Sequence, residues 1–255
     1  MPRDAVDIRP LSGHAEMEQC VALQRITWGA GFDQLVPSAI LWVAQRTGGI
    51  ASGAFDRTGR LLGFVFGISG IADGRLIHWS DMLAVHPDAR GAGVGIALKL
   101  HQREQLLARG IETVYWTFDP LEARNAHINF RRLGVIAREY LRDVYGETGS
   151  DLHAGIGTDR LVADWQLASA RVRHRLTDGP AGADEPATGA AGPAGAVRIP
   201  VPLDIQTLKR NAPEAARALR QRTRAQFEQH LASGLAVVDA IRGADALEYV
   251  LAPIA

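Results

Sequence analysis

The chain has 255 residues, 47% of them hydrophobic, with 28 basic against 28 acidic side chains and one cysteine. That apolar share sustains a packed core and argues against global disorder, and the even charge argues against a nucleic-acid partner held by a basic surface, a local patch aside. The lone Cys20 excludes an intramolecular disulfide, no basic-then-apolar leader opens the chain, and no apolar run reaches the roughly 18–20 residues of a membrane helix, so a cytoplasmic protein with no membrane partner is expected.

In chain order, Val6–Arg9 reads as a short strand and Ala15–Thr27 as a helix in which Cys20 is a small buried apolar residue. Pro37 suits the first turn of a helix over Ser38–Arg46, broken by Gly48 and Gly49. Ile50–Phe55 and Leu61–Ile68 flank Asp56-Arg57-Thr58-Gly59, a hairpin signal. Leu76–Val85 is a further strand, and Pro87 marks the turn that follows. A helix is expected from Val94 to Arg109, stopped at Gly110, with Ile96, Leu100 and Leu107 on its apolar stripe beside Arg103.

Ile111–Phe118, rich in β-branched and aromatic residues, reads as a buried strand. A helix over Glu122–Leu133 ends at Gly134, and Val135–Tyr145 and Arg160–Leu167 are the next strands. The basic run Arg171–Arg175 reads as a solvated end. From Thr177 to Ala196 no large apolar residue occurs, so no core can form there. Val197–Val201, a helix over Pro213–Ala232, and Leu235–Ile241 and Leu247–Leu251 close the chain. The expected organisation is a main domain over 1–170, a flexible linker over 171–196, and a small strand–helix–strand–strand appendage over 197–255 that docks on the main domain or on a second subunit, leaving a homodimer open.

The chemistry concentrates in Leu83-Ala84-Val85-His86-Pro87-Asp88-Ala89 and the following Arg90-Gly91-Ala92-Gly93-Val94-Gly95, a strand end, a turn and a helix start. Glycines let backbone N–H groups converge, and the first free amides of a helix add partial positive charge, so the turn suits a diphosphate. Arg90 can add a charge-assisted contact. A tight connection without a ligand is the plain structural reading. No Lys-Ser or Lys-Thr pair follows, which excludes a P-loop. The third glycine falls one residue early for a dinucleotide turn, although Asp119 ends the next strand where a ribose-binding acid would stand, so a nicotinamide-dependent dehydrogenase stays open.

Leu83-Ala84-Val85-His86-Pro87 followed by Arg90-Gly91-Ala92-Gly93-Val94-Gly95 resembles the GNAT superfamily of N-acetyltransferases, whose pattern is Arg/Gln-x-x-Gly-x-Gly/Ala at a helix start after an apolar-x-Val-x-Pro strand end. The resemblance covers about residues 5–168. Tyr115–Leu121, Arg124–His127 and Thr158–Leu161 look like a less characterised branch with links to N-acylation, including N-succinylation, of amino acids. It implies an α/β fold with a mixed, largely antiparallel sheet splayed between two central strands, an acyl-CoA-dependent N-acyltransferase, acetyl-CoA or another acyl-CoA as cosubstrate, a small-molecule amine acceptor and direct attack in a ternary complex.

The resemblance also implies roles. Backbone groups of Leu83, Ala84 and Val85 would run beside the pantetheine arm, the amides of Arg90, Gly91, Ala92, Gly93, Val94 and Gly95 would hold the diphosphate, and Asn125 would contact the arm; a cap or a polar core place is the other reading of Asn125. Asp81 is the candidate general base, directly or through water, with a substrate-ammonium anchor or a strand-edge ion pair as its alternatives. The superfamily's general-acid tyrosine falls at Phe130, which has no proton to give, so Tyr140, Tyr145 or water would serve. That departure leaves open a catalytically weak module that only binds CoA. Arg160 after Asp159 reads as a surface ion pair or a grip on an acidic group. The eight histidines show no metal-ligand spacing, so no metal is expected.

Overall fold

A computed structural model describes residues 6–150, 155–177 and 195–254. The chain divides into two compact units, Met1–Tyr115 with Thr148–Leu152 and Trp116–Glu147 with His153–Ala255.

The first unit holds strands β1 (Asp7–Pro10), β2 (Ile50–Phe55), β3 (Leu61–Ala72), β4 (Arg75–Val85) and the first half of β5 (Thr113–Phe118), with helices α1 (Gly13–Trp28), α2 (Ser38–Arg46) and α3 (Val94–Leu107). Its strands lie in chain order, antiparallel until β4 meets β5 in parallel. Local chemistry sets the two hairpins. Asp56 accepts the amides of Thr58 and Arg60 at 2.8 and 3.1 Å, an Asx turn that reverses the chain. Asp73 and Gly74 both take positive φ, 50° and 73°, the twist a tight hairpin needs. A parallel step needs a crossover, and α3 is that crossover. A core of Met17, Cys20, Leu23, Leu41, Phe55, Phe64, Phe66 and their neighbours fills the unit, and burial raises the Cys20 thiol far above its ordinary value.

The second unit holds the rest of β5 with β6 (Ile136–Leu141), β7 (Arg160–Gln166), β8 (Val197–Pro202), β9 (Ala236–Arg242) and β10 (Ala246–Ala252), and helices α4 (Ala123–His127), α5 (Ala170–Thr177), α6 (Ile205–Asn211) and α7 (Pro213–Ala232). Its strand order is β5-β7-β6-β9-β10-β8. Aromatic rings meet edge to face at its centre: Phe130 against Phe118 and Tyr249, and Phe227 against Tyr249, the arrangement ring quadrupoles favour. Among the described residues no helix is long and apolar enough to cross a membrane.

Several expectations change. The chain divides inside β5, not at 170, because β9 pairs with β6 through Val237 and Ala137. Residues 197–255 therefore extend the sheet begun by β7 and β6 and cover an edge that would otherwise stay open. Residues 171–177 belong to α5, where Val172 is buried and the Arg171 guanidinium donates to the Gly134 carbonyl at 3.0 Å, so Arg171 is no solvated end. The remainder of the expected linker, 178–194, lies outside the described residues. The helix expected over Glu122–Leu133 widens after α4 into a π turn over Ile128–Arg132, with Leu133 donating to Ile128 five residues back at 3.0 Å. The buried face of α3 is Val94, Leu98, Lys99, Gln102 and Leu106, not the Ile96–Leu107 stripe. Two polar residues on the inner face hid the true period.

Candidate active site

β4 carries the first half of the site. Its parallel pairing with β5 covers only Ile77, His78 and Trp79. Beyond Trp79 its register against β3 slips, so that Ser80 and Asp81 face Gly67 alone, a β-bulge. From Met82 to Val85 the strand keeps its ladder with β3, and from Ser80 onward its other backbone edge has, among the described residues, no partner strand in this unit. Side chains alternate along it. His78, Ser80, Met82 and Ala84 are buried, while Trp79, Asp81, Leu83 and Val85 are accessible. Ala84 can thus offer a ligand only its backbone. Asp81 is exposed to water, yet the protein mass around it desolvates the carboxyl enough to raise its pKa.

The glycine turn carries the second half. The His86 amide donates to the Leu62 carbonyl at 2.7 Å, and a 3-10 turn over Pro87–Ala89 follows. Gly91 and Gly93 take φ of 84° and 82°, which a side chain would strain. At Gly95 an added Cβ would rest at 3.5 Å from the Leu83 and Val85 side chains, so the start of α3 lies against β4. The amides sort into two sets. Those of Arg90 and Ala92 donate to the carbonyls of Pro87 and Ala89 at 3.2 and 3.4 Å. Those of Gly91, Gly93, Val94, Gly95 and Ile96 have no protein acceptor among the described residues. Of the six amides expected to act together, those of Arg90 and Ala92 are engaged within the turn, while that of Ile96 joins the set without an acceptor. Among the described residues no acidic side chain stands in the first turn of α3 to offset the positive end of its dipole. The Arg90 side chain reaches back to the Val85 carbonyl at 3.4 Å and stays exposed.

The second unit holds the other expected residues. Asn125 is exposed on α4; Glu122, not Asn125, occupies the cap position, and the Asn125 side chain has no partner among the described residues. It is neither a cap nor a core polar group. Tyr140 donates its hydroxyl to Asp159 at 2.6 Å and stacks on Phe227; burial and then Asp159 raise its pKa. A phenol in that state holds its proton tightly. Phe130 is fully buried.

The sequence hid an ionic cluster in this unit. Arg220 on α7, 2% exposed, donates through Nη2 to both Asp119 oxygens at 2.7 and 2.6 Å, and its Nε and Nη1 have no partner. Arg160 is 4% exposed, not a surface residue; it lies 3.7 Å from Asp119 and over the Tyr145 ring. Arg224 grips both Asp159 oxygens at 2.7 Å. Burial opposes the Asp159 charge, but Arg224 and Tyr140 hold its carboxyl below the ordinary value. Asp119, the candidate ribose acid of the dehydrogenase reading, is thereby occupied by arginine. Only the helical spacing of Arg220 and Arg224 in α7 could have signalled the cluster. Among the described residues no group of three or more His, Cys, Asp or Glu is placed to hold a metal.

No protein-family model matches the chain, and no curated protein matches it by sequence. Solved structures do. The chain is similar to the ribosomal-protein-S18-alanine N-acetyltransferase from Escherichia coli at 16% identity and a TM-score of 0.50, over 65% of this chain and 96% of that one. An N-acetyltransferase from Staphylococcus aureus Mu50 matches at 17% identity and 0.50, over 64% and 98%. A chain of the NatC complex bound to Gag peptide and CoA matches at 14% and 0.51, over 64% and 98%. The chain therefore shares the mixed α/β fold of these N-acetyltransferase structures, the fold class expected from the sequence.

Proposed function

We propose that this chain is an acyl-CoA-dependent N-acyltransferase acting on the amine of a small molecule, with an acetyl or succinyl-type acyl group. The observation that carries the reading is the set of five unspent amides at Gly91, Gly93, Val94, Gly95 and Ile96 beside the unpaired edge of β4. Converging N–H donors at a helix start fit a diphosphate, and an open strand edge fits an extended amide-bearing arm. CoA in one structure of the same fold supports this fit.

Bound acyl-CoA would supply an activated thioester. The amides hold the diphosphate, and the Leu83–Val85 edge aligns the pantetheine. Asp81, on the accessible face of the same strand, takes the proton of the acceptor ammonium directly or through water, because only the neutral amine attacks. Its raised pKa brings it closer to that task. A backbone N–H of the free β4 edge faces the developing oxyanion. As the intermediate collapses, the second proton of the nitrogen passes through water to the departing thiolate, since the Tyr140 hydroxyl is engaged by Asp159, that of Tyr145 meets Thr117, and Phe130 has none.

Release of free thiol from acetyl-CoA or succinyl-CoA across an amine panel tests the reading, with calorimetric CoA binding measured alongside. Acceptor-dependent release supports an enzyme. CoA binding without release on any acceptor supports the second reading, a CoA-binding module, which Phe130 favours. Absence of CoA binding overturns both.

A further inference from the structure

We propose that Lys99 is a positioning residue for Asp81: through Ser80 it fixes the β4 bulge that presents the base, and it ties that bulge to the helix whose first turn carries the free amides. The inference rests on the acyltransferase reading.

A chain of hydrogen bonds runs beneath the bulge. Lys99 Nζ donates to Ser80 Oγ at 2.7 Å and to Gln102 Oε1 at 3.3 Å. Ser80 donates to Gln102 Oε1 at 3.1 Å. The Gln102 amide nitrogen lies 3.0 Å from His78 Nε2, and His78 Nδ1 lies 3.0 Å from Ser69 Oγ. Ser69 donates to the Gly48 carbonyl at 2.8 Å. An amide NH2 only donates, so His78 Nε2 accepts, its Nδ1 carries the proton, and every bond points from Lys99 toward Gly48. The neutral imidazole this requires agrees with a His78 pKa pushed down to about 3 by burial, then by Lys99 and Arg109.

All four central members are buried: His78 0%, Ser80 4%, Lys99 7%, Gln102 0%. The chain is also tightly seated. A Cβ on Gly67 would come within 2.3 Å of His78 Nε2 and 2.5 Å of the Trp79 carbonyl, so the backbone opposite the bulge closes on the imidazole. A bulged residue lacks a full share of the ladder, and the pairing with β5 has already ended at Trp79. The side chain of Ser80 is then what fixes its backbone, and Asp81 projects from the next residue to the opposite face. Stability does not call for lysine here, because an apolar side chain at this buried position would not require an amine to be desolvated. Lysine offers what an apolar residue cannot: an amine whose N–H groups hold Ser80 and Gln102 together in one orientation.

The experiment uses the full chain and the acyl-CoA and amine pair found active. Lys99→Met, Ser80→Ala and Asp81→Asn are made singly, and each of the first two is combined with Asp81→Asn. We expect Lys99→Met and Ser80→Ala to lower kcat about 10–100-fold, as a misplaced base does, while the calorimetric Kd for CoA stays within about 2-fold. In the Asp81→Asn background neither should cause a further loss. Equal losses with and without Asp81, an unchanged kcat, or a Kd that weakens in step with kcat would each overturn the proposal. Should Lys99→Met fail to fold, Ser80→Ala, which removes one oxygen, carries the same expectations. If Asp81→Asn alone leaves kcat intact while CoA still binds, the assignment of the base fails and this inference with it, whereas the cofactor site stands.

Discussion

In the first unit the buried Lys99 donates to the neutral oxygens of Ser80 and Gln102. In the second, Arg220 and Arg224 meet Asp119 and Asp159 as full ion pairs. The consequences for charge are opposite. Burial pulls Lys99 down to about 7, so it exchanges its proton near neutrality. Burial acts on Arg220 too, but Asp119 outweighs it and raises its pKa, so the guanidinium remains charged. Charge set among dipoles is adjustable, whereas charge set among counter-ions is fixed. The adjustable arrangement lies behind the candidate base, and the fixed one braces the sheet and α7.

The contrast can be broken at several points. The largest effect is expected from Asp119→Ala, which strands a buried guanidinium and should cost about 3–5 kcal/mol of stability in urea denaturation. Lys99 comes next. Its folded pKa of about 7 lies below the ordinary lysine value of 10.5, so the unfolded chain binds the extra proton between those values and stability rises with pH across that window. Relative to Lys99→Met, the wild type should gain about 3 kcal/mol between pH 6 and pH 9, and parallel curves would refute the shift. A smaller change is expected from Gly93→Val. Its φ of 82° strains a branched residue by about 1–3 kcal/mol, and calorimetry should show CoA binding weakened about 10-fold or more. The smallest effect should follow Glu228→Gln. The Arg142–Glu228 pair is bidentate at 2.5 and 2.6 Å but its arginine is largely exposed, so less than about 1 kcal/mol is expected. Arg142 holds the Glu228 carboxyl below its ordinary value, so even that contribution should vanish as pH falls through it.

Much of the first unit was readable because its signals are local. The helix over Ser38–Arg46, the strand over Ile50–Phe55 and the start of α3 at Val94 fall where Pro37, the Gly48-Gly49 break and the glycine turn place them. In the second unit the helix over Pro213–Ala232 was equally plain. The pairing of β9 with β6 was not, because Ala137 and Val237 are a hundred residues apart. The inner face of α3 is hidden from the sequence for a related reason: Lys99 and Gln102 look like surface residues until Ser80 and His78 arrive from β4.

The amino-acid order alone determined the glycine turn, the alternation that sends Asp81 and Ser80 to opposite faces, and the loss of a hydroxyl at position 130. Each follows from dihedral preference, strand period or residue chemistry within a few neighbours. Tertiary structure decided which amides remain unspent, that Arg160 is buried, and that Lys99 and Arg220 carry their charges inside. Those depend on acceptors and counter-ions delivered by distant segments, and burial changes the free energy of a charge far more than any local preference does.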